Sequence, residues 1–122
     1  MLREDGIVMD DGTTTRISEN HYHMTTTTAQ AANVLSHLEY YLQLVWPELN
    51  VNVVSTTEQW AGAAVAGPNS RRLLEKLFPE KDLSNEGLPF MGYTEGNLFG
   101  VNAKIFRISF SGELAYEINV ES

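Results

Sequence analysis

The sequence predicts an α+β fold in which two main helices pack on a mostly antiparallel sheet. Three observations support this class. Residues 29–45 and 68–78 repeat apolar side chains at helical spacing. The remaining apolar stretches are short, rich in threonine, valine and aromatic residues, and bounded by turn residues. The last stretches alternate between apolar and polar side chains, as half-buried strands do. The predicted order of elements is β-β-β-α-β-β-α-β-β.

The first part of the chain predicts a hairpin followed by a third strand. Residues 6–10 and 13–17 have strand composition, and Asp11-Gly12 between them is a strong turn signal because glycine accepts positive φ. Residues 21–26, rich in threonine and tyrosine, are the third strand candidate.

Both predicted helices have a clear apolar stripe and a proline stop. In residues 29–45 the stripe comprises Val34, Leu35, Leu38, Tyr41, Leu42 and Val45. Pro47 ends this helix. The second helix opens at Gly67-Pro68. Its predicted buried face comprises Leu73, Leu74, Leu77 and Phe78.

Four further strands are predicted around and after the second helix. Residues 51–56 form one, and residues 60–66 form a buried one of small apolar residues. Residues 98–110 form a long one that ends at the turn Ser111-Gly112. In the last, residues 115–120, Glu117 lies on the face opposite to Tyr116, Ile118 and Val120.

Composition limits the function classes. The chain has 122 residues, no cysteine and a formal net charge of −8, so disulfides and thiolate metal sites are excluded. The eight basic residues are scattered, which argues against nucleic acid as a partner. No apolar run approaches a membrane span and no signal peptide is visible, so we expect a cytoplasmic protein without membrane contact. Because the chain ends directly after a strand, we expect residues 1–122 to be a part of a longer domain.

Few residues stand out as candidate chemical groups. Asp10-Asp11 is either an ordinary turn pair or supplies a carboxylate to a ligand nitrogen. Glu117 is either a solvated residue or an acceptor for two adjacent N–H groups of a heterocycle such as a pterin. His21 and His23 share a strand face but lack the further ligands that a metal site needs, so no metal is expected.

Four stretches together resemble the aminomethyltransferase family, the glycine-cleavage T-proteins. They are residues 5–11, 64–68, 88–90 and 107–117. Within this superfamily, the sequence is most similar to the folate-binding domain of α subunits of heterotetrameric sarcosine oxidases. That closer similarity lies in residues 9–14, 24–28, 46–49 and 110–117. Dimethylglycine and sarcosine dehydrogenases share the domain, and a free-standing T-protein is the other alternative.

The resemblance implies roles for four residues. Asp11 takes the place of the essential aspartate, and Glu117 that of the glutamate that grips the pterin. Thr26 stands where the family has a pterin-contacting asparagine. Phe110 stands where T-proteins have a tyrosine that packs near the ring, and it lacks the hydroxyl group.

The resemblance also implies a reaction and its partners. Oxidised sarcosine gives up its one-carbon unit to tetrahydrofolate, which yields glycine and 5,10-methylenetetrahydrofolate. NAD, FAD and FMN are expected only in other parts of the full enzyme, and the other subunits and the rest of the α chain are the expected protein partners. We expect the isolated 122 residues to bind tetrahydrofolate weakly and to be inactive.

Overall fold

The computed structural model describes residues 1–122 and divides into two compact units, Met1–Thr57 and Glu58–Ser122. The first unit holds a two-stranded antiparallel sheet and the longer helix. The second holds a four-stranded antiparallel sheet and the shorter helix. The predicted α+β class, with antiparallel sheets and two main helices, is therefore confirmed. None of the helices combines the length and the apolar content that crossing a membrane requires.

The first hairpin lies later in the chain than predicted. Strand β1, Thr14–Ser18, pairs with strand β2, His21–Met24. Residues 6–10 form no strand, apart from an isolated bridge between residues 2 and 8. The turn of the hairpin is therefore at residues 19–20 and not at Asp11-Gly12, so the predicted hairpin is wrong. Gly12 has no positive φ.

A close backbone approach explains why residue 12 is glycine. A Cβ atom at Gly12 would lie 2.0 Å from the carbonyl oxygen of Thr25. Only a residue without a side chain lets these two backbone segments come so near to each other. Residue 12 is therefore glycine because it contacts the backbone of the segment after β2, and not because it lies in a turn.

The longer helix agrees with its prediction. Helix α1 spans Ala31–Tyr40, is preceded by a 3₁₀ turn at Thr28–Gln30, and continues as a wider π-helical turn over Tyr41–Val45. Residues 51–56 form no strand. Their strand composition was misleading because a strand also needs a neighbouring strand to pair with, and these residues pair with none.

The second unit is a sheet with one helix on it. Its elements are β3 (Trp60–Ala66), α2 (Ser70–Leu77), β4 (Tyr93–Leu98), β5 (Val101–Phe106) and β6 (Ala115–Glu121). The strand order is β3-β6-β5-β4, and all neighbours are antiparallel. The last predicted strand, now β6, is thus confirmed and lies inside the sheet.

The predicted long strand of residues 98–110 is wrong. A turn at Phe99-Gly100 interrupts it, where both residues have positive φ and Asn97 Oδ1 accepts a 2.6 Å hydrogen bond from the Gly100 N–H. The chain instead forms the hairpin of β4 and β5, and β5 ends at Phe106. No hydrophobic pattern announced this turn, because Phe99 is an apolar residue that is 89% exposed.

The core of the second unit lies between α2 and one face of the sheet. Its buried members are Leu74, Phe78, Leu83, Leu88, Ala103, Ile105, Tyr116 and Ile118. The predicted buried face of α2 included Leu73, and this part of the prediction is wrong, because Leu73 is 46% exposed. Strand β3 is an edge strand with mostly exposed side chains and is not the buried strand that its apolar composition suggested. Because successive side chains alternate, Glu117 lies on the sheet face opposite to this core.

Candidate functional site

The two adjacent aspartates have different environments. Asp10 is buried, with 6% of its surface exposed, and both of its carboxylate oxygens accept hydrogen bonds from Thr27. Asp11 is exposed, and one of its carboxylate oxygens accepts a 2.8 Å hydrogen bond from the N–H of Gly12. Of the pair, only Asp11 therefore presents its carboxylate where a ligand can reach it.

Threonines hold the segment before β1 against the segment after β2. The Thr25 N–H donates to the Thr13 carbonyl at 2.8 Å, and the two hydroxyl groups lie 3.0 Å apart. The Thr13 N–H donates to Thr25 Oγ1 at 3.1 Å. These contacts continue the pairing of β1 and β2 beyond the last ladder position, Thr14 with Met24. Thr26, the second candidate residue of this unit, is half-buried in the same segment.

Asp10 is held in its ionised form. Burial by itself opposes ionisation, but the Thr27 hydroxyl, the Thr27 N–H and the Asp11 N–H all favour the charged carboxylate. Together they hold the pKa of Asp10 below its ordinary value. A buried carboxylate in this state needs its hydrogen bonds, because removing one donor leaves an unsatisfied charge.

Glu117 is the candidate carboxylate of the second unit. It lies on β6 between Ala64 of β3 and Phe106 of β5, its two register partners. The side chain is half-buried and accepts no hydrogen bond within the chain. It therefore offers a free acceptor beside a buried aromatic ring on one side and a methyl group on the other.

Two further residues shape the sheet face of Glu117. The ring of Tyr93 packs 5.2 Å from that of Phe106, and its hydroxyl donates to Glu95. Burial, and then this carboxylate, raises the pKa of Tyr93 well above its ordinary value. Two residues before Phe106 on β5, and so on the same face, the Lys104 ammonium lies 3.3 Å from the centroid of the Trp60 ring. Burial lowers the pKa of Lys104, although two glutamates counteract the effect.

Phe110 lies in the turn that leads into β6. Its side chain is fully exposed. The turn is shaped by Gly112, which has a φ of +93° and donates its N–H to Ser109 Oγ at 2.7 Å. The aromatic ring is therefore free to pack against another molecule or another part of a longer chain.

The four predicted site residues are divided between the two units. Asp11 and Thr26 belong to the first unit, and Phe110 and Glu117 belong to the second. Sequence reasoning missed the role of Thr27, which binds the buried aspartate from 17 positions away. No local signal marked it, because it is one of four identical residues in a row.

Comparisons with known proteins match the whole chain. A sequence profile described as the GCVT N-terminal domain matches residues 1–122. The chain is 53% identical over 122 residues to the sarcosine oxidase subunit alpha of Rhizobium meliloti (strain 1021), with 98% of this chain covered. It is 50% identical over 123 residues to the subunit of the same name from Corynebacterium sp. (strain P-1), with all of this chain covered. Identity to an aminomethyltransferase of Halothermothrix orenii is 30%, over 97% of this chain.

The matched stretch is a small part of these relatives. The chain spans 12% and 13% of the length of the two sarcosine oxidase subunits, and 31% of the aminomethyltransferase.

Proposed function

Because the chain belongs to the family of the GCVT N-terminal domain, we propose that it is part of the tetrahydrofolate-binding domain of a sarcosine oxidase α subunit. In the full-length enzyme this domain receives the one-carbon unit of oxidised sarcosine, so that glycine and 5,10-methylenetetrahydrofolate are formed. The observation that carries the proposal is the identity of at least half of the residues to two sarcosine oxidase α subunits across almost the whole chain.

Glu117, its neighbour Ala64 and the exposed Phe110 of the same unit fit the pterin end of tetrahydrofolate. A pterin presents adjacent N–H groups and a flat ring. The Glu117 carboxylate has no partner within the chain and can accept two parallel hydrogen bonds. Ala64 beside it is small enough to leave the carboxylate open on that side. The exposed ring of Phe110 offers an aromatic surface without a hydroxyl group.

The anionic tail of tetrahydrofolate finds fewer partners here. The Arg71 guanidinium donates to the Tyr116 hydroxyl at 3.0 Å and to Asn85 at 2.6 Å. Arg107 donates to the Leu88 carbonyl at 2.9 Å. Since these two arginines already bond within the chain, we propose that the cation for the tail belongs to another part of the full-length protein.

Asp11 is the group that we propose acts on the reacting atoms. Tetrahydrofolate supplies the nucleophilic nitrogen that accepts the carbon. Near that nitrogen, the exposed carboxylate of Asp11 stabilises developing positive charge and can hold the proton that leaves it. The Gly12 N–H bonded to one oxygen orients the carboxylate without neutralising it.

The test uses the full-length enzyme with Asp11→Ala and Asp11→Asn. Oxidation of sarcosine should continue at the wild-type rate, while capture of the carbon by folate falls about 10²–10⁴-fold, the usual scale for a positioned acid or base. Formaldehyde should then replace 5,10-methylenetetrahydrofolate among the products, which are quantified together. Asp5→Asn, at another exposed aspartate of the same unit, is the matched control and should leave the product ratio unchanged.

Two outcomes decide the reasoning. If Asp11→Asn restores transfer, a hydrogen bond suffices and the charge argument is wrong. If both variants form 5,10-methylenetetrahydrofolate at wild-type rates, Asp11 has no role in the chemistry.

The second candidate function is that of an aminomethyltransferase, which the similarity to the Halothermothrix orenii protein favours. It predicts that the full-length protein releases an aminomethyl group from a lipoyl carrier and does not oxidise sarcosine. Oxygen consumption with sarcosine as the sole amine therefore separates the two candidates.

A further inference from the structure

The strongest unassigned feature of the first unit is the pair formed by the buried Asp10 carboxylate and the exposed residue Thr27. The Thr27 hydroxyl donates to Asp10 Oδ1 at 2.8 Å, and the Thr27 N–H donates to Asp10 Oδ2 at 2.9 Å. Two bonds from one residue to the two oxygens of one carboxylate fix the rotation of that carboxylate as well as its distance. The proposed chemistry of Asp11 makes no use of this pair.

Thr13 and Thr25 connect the same two segments a few residues away, and we call each of the two connections a fastening. Thr13 and Thr25 are joined by a backbone hydrogen bond of 2.8 Å and by hydroxyl groups 3.0 Å apart. Between the two fastenings, each segment contains one candidate site residue: Asp11 on the first and Thr26 on the second. The bare backbone of Gly12 lets the segments approach closely at this point.

The burial of a carboxylate here is a specific arrangement. Aspartate is rarely buried unless it is paired, because its charge loses hydration. Asp10 does not cap its own turn, since its partner is 17 residues away. The exposed neighbour Asp11 instead accepts a local hydrogen bond, from the N–H of Gly12. The pair therefore joins two distant segments and does not stabilise a local turn.

We propose that Asp10 and Thr27 are positioning residues, which hold the segments carrying Asp11 and Thr26 in one fixed relation so that the Asp11 carboxylate meets the folate nitrogen in register. This inference rests on the proposed function of Asp11. Small displacements of a reacting group lower rates strongly, and a shift of about 1 Å can reduce them about 10²-fold. Neither residue needs to touch the ligand to have this effect.

The test compares three variants of the full-length enzyme. Thr27→Val removes the hydroxyl and keeps the shape and the backbone N–H. Thr27→Ser keeps the hydroxyl and is the conservative variant. Thr28→Val, at the exposed neighbouring threonine, is the matched control. Each variant is assayed for sarcosine oxidation, for kcat and KM of transfer to tetrahydrofolate, and for backbone hydrogen exchange without folate.

Thr27→Val should lower kcat of transfer about 10-fold or more, the scale of a displacement below 1 Å, and leave sarcosine oxidation unchanged. Hydrogen exchange should become faster in residues 10–13 and 25–27 but not in the β1–β2 hairpin. Thr27→Ser should stay within about twofold of wild type in both measurements, because it keeps the hydroxyl donor. Thr28→Val should change neither.

Several results would overturn the inference. If Thr27→Val speeds hydrogen exchange but leaves transfer to tetrahydrofolate unchanged, the pair connects the two segments without positioning Asp11. An equal loss in Thr27→Ser or Thr28→Val shows a general structural effect. If Asp11→Ala abolishes transfer while Thr27→Val changes neither transfer nor exchange, the positioning role fails and the proposed function stands. If Asp11→Ala leaves transfer intact, the proposed function fails, whatever the exchange data show.

Discussion

Substituting Gly12 tests the close approach between its backbone and that of Thr25, which brings the segment of Asp11 next to the segment of Thr26. In Gly12→Ala the added Cβ would lie 2.0 Å from the Thr25 carbonyl oxygen and 2.9 Å from its carbonyl carbon, whereas ordinary contact begins near 3.4 Å. Both atoms are backbone, so the segments must separate by more than 1 Å. That movement breaks the hydrogen bonds between Thr13 and Thr25, of which the three shortest measure 2.8–3.1 Å. At about 1 kcal/mol each, the expected loss in the free energy of unfolding is about 2–4 kcal/mol.

A second substitution separates close approach from turn geometry. If Gly12 were a turn residue with positive φ, Gly12→Asn would be tolerated, since asparagine adopts that conformation. If the close approach is what requires glycine, Gly12→Asn should lower the free energy of unfolding at least as much as Gly12→Ala does. Gly6→Asn is the control, because Gly6 has a φ of +80° and no atom within 4 Å of its Cβ position. Urea denaturation followed by circular dichroism measures all three variants. A loss below about 0.5 kcal/mol in Gly12→Ala, the scale of an unremarkable surface change, would refute the reasoning.

Two further predictions concern the second unit. Leu74→Ala should lower the free energy of unfolding by about 2–5 kcal/mol, because Leu74 is fully buried. Leu73→Ala should change it by less than about 0.5 kcal/mol, because Leu73 is partly exposed. Equal effects of the two variants in urea denaturation would contradict the buried face of α2 that the structure shows. Because burial and Glu95 raise the pKa of Tyr93 above 10.0, its contribution to stability is fully present below pH 10.0 and is lost as the pH rises through the higher folded value. In a spectroscopic pH titration, Tyr93→Phe should therefore lose the phenol that ionises last, and loss of one with an ordinary pKa would count against this.

The sequence predicted best those elements whose evidence is local. Helix α1 and strand β6 each carry a repeat of apolar residues at their own period, and that repeat needs no knowledge of distant residues. The second helix was predicted for the same reason, but its predicted buried face included one residue too many. The helix packs against the sheet along a narrow stripe, so Leu73 is 46% exposed beside Leu74, which is fully buried.

The failures share one physical cause, which is contact between residues far apart in the chain. Residues 51–56 have strand composition but no partner strand. Gly12 was taken for a turn residue, whereas a carbonyl group 13 positions later explains it. The turn at Phe99-Gly100 depends on an asparagine side chain that accepts the Gly100 N–H. None of these contacts leaves a periodic signal that can be detected in a single sequence.

The aspartate pair shows the same limit at the candidate site. Sequence similarity selects Asp11, yet Asp10 and Asp11 are chemically identical and adjacent, so no local pattern distinguishes them. In the structure, what distinguishes them is Thr27, which occupies both oxygens of Asp10 and leaves Asp11 exposed. The Asp10 carboxylate is buried and each of its oxygens already accepts a hydrogen bond from Thr27, whereas the Asp11 carboxylate is open to a ligand. Asp10 is therefore suited to hold the segment in place, and the exposed Asp11 is the carboxylate that we propose reacts.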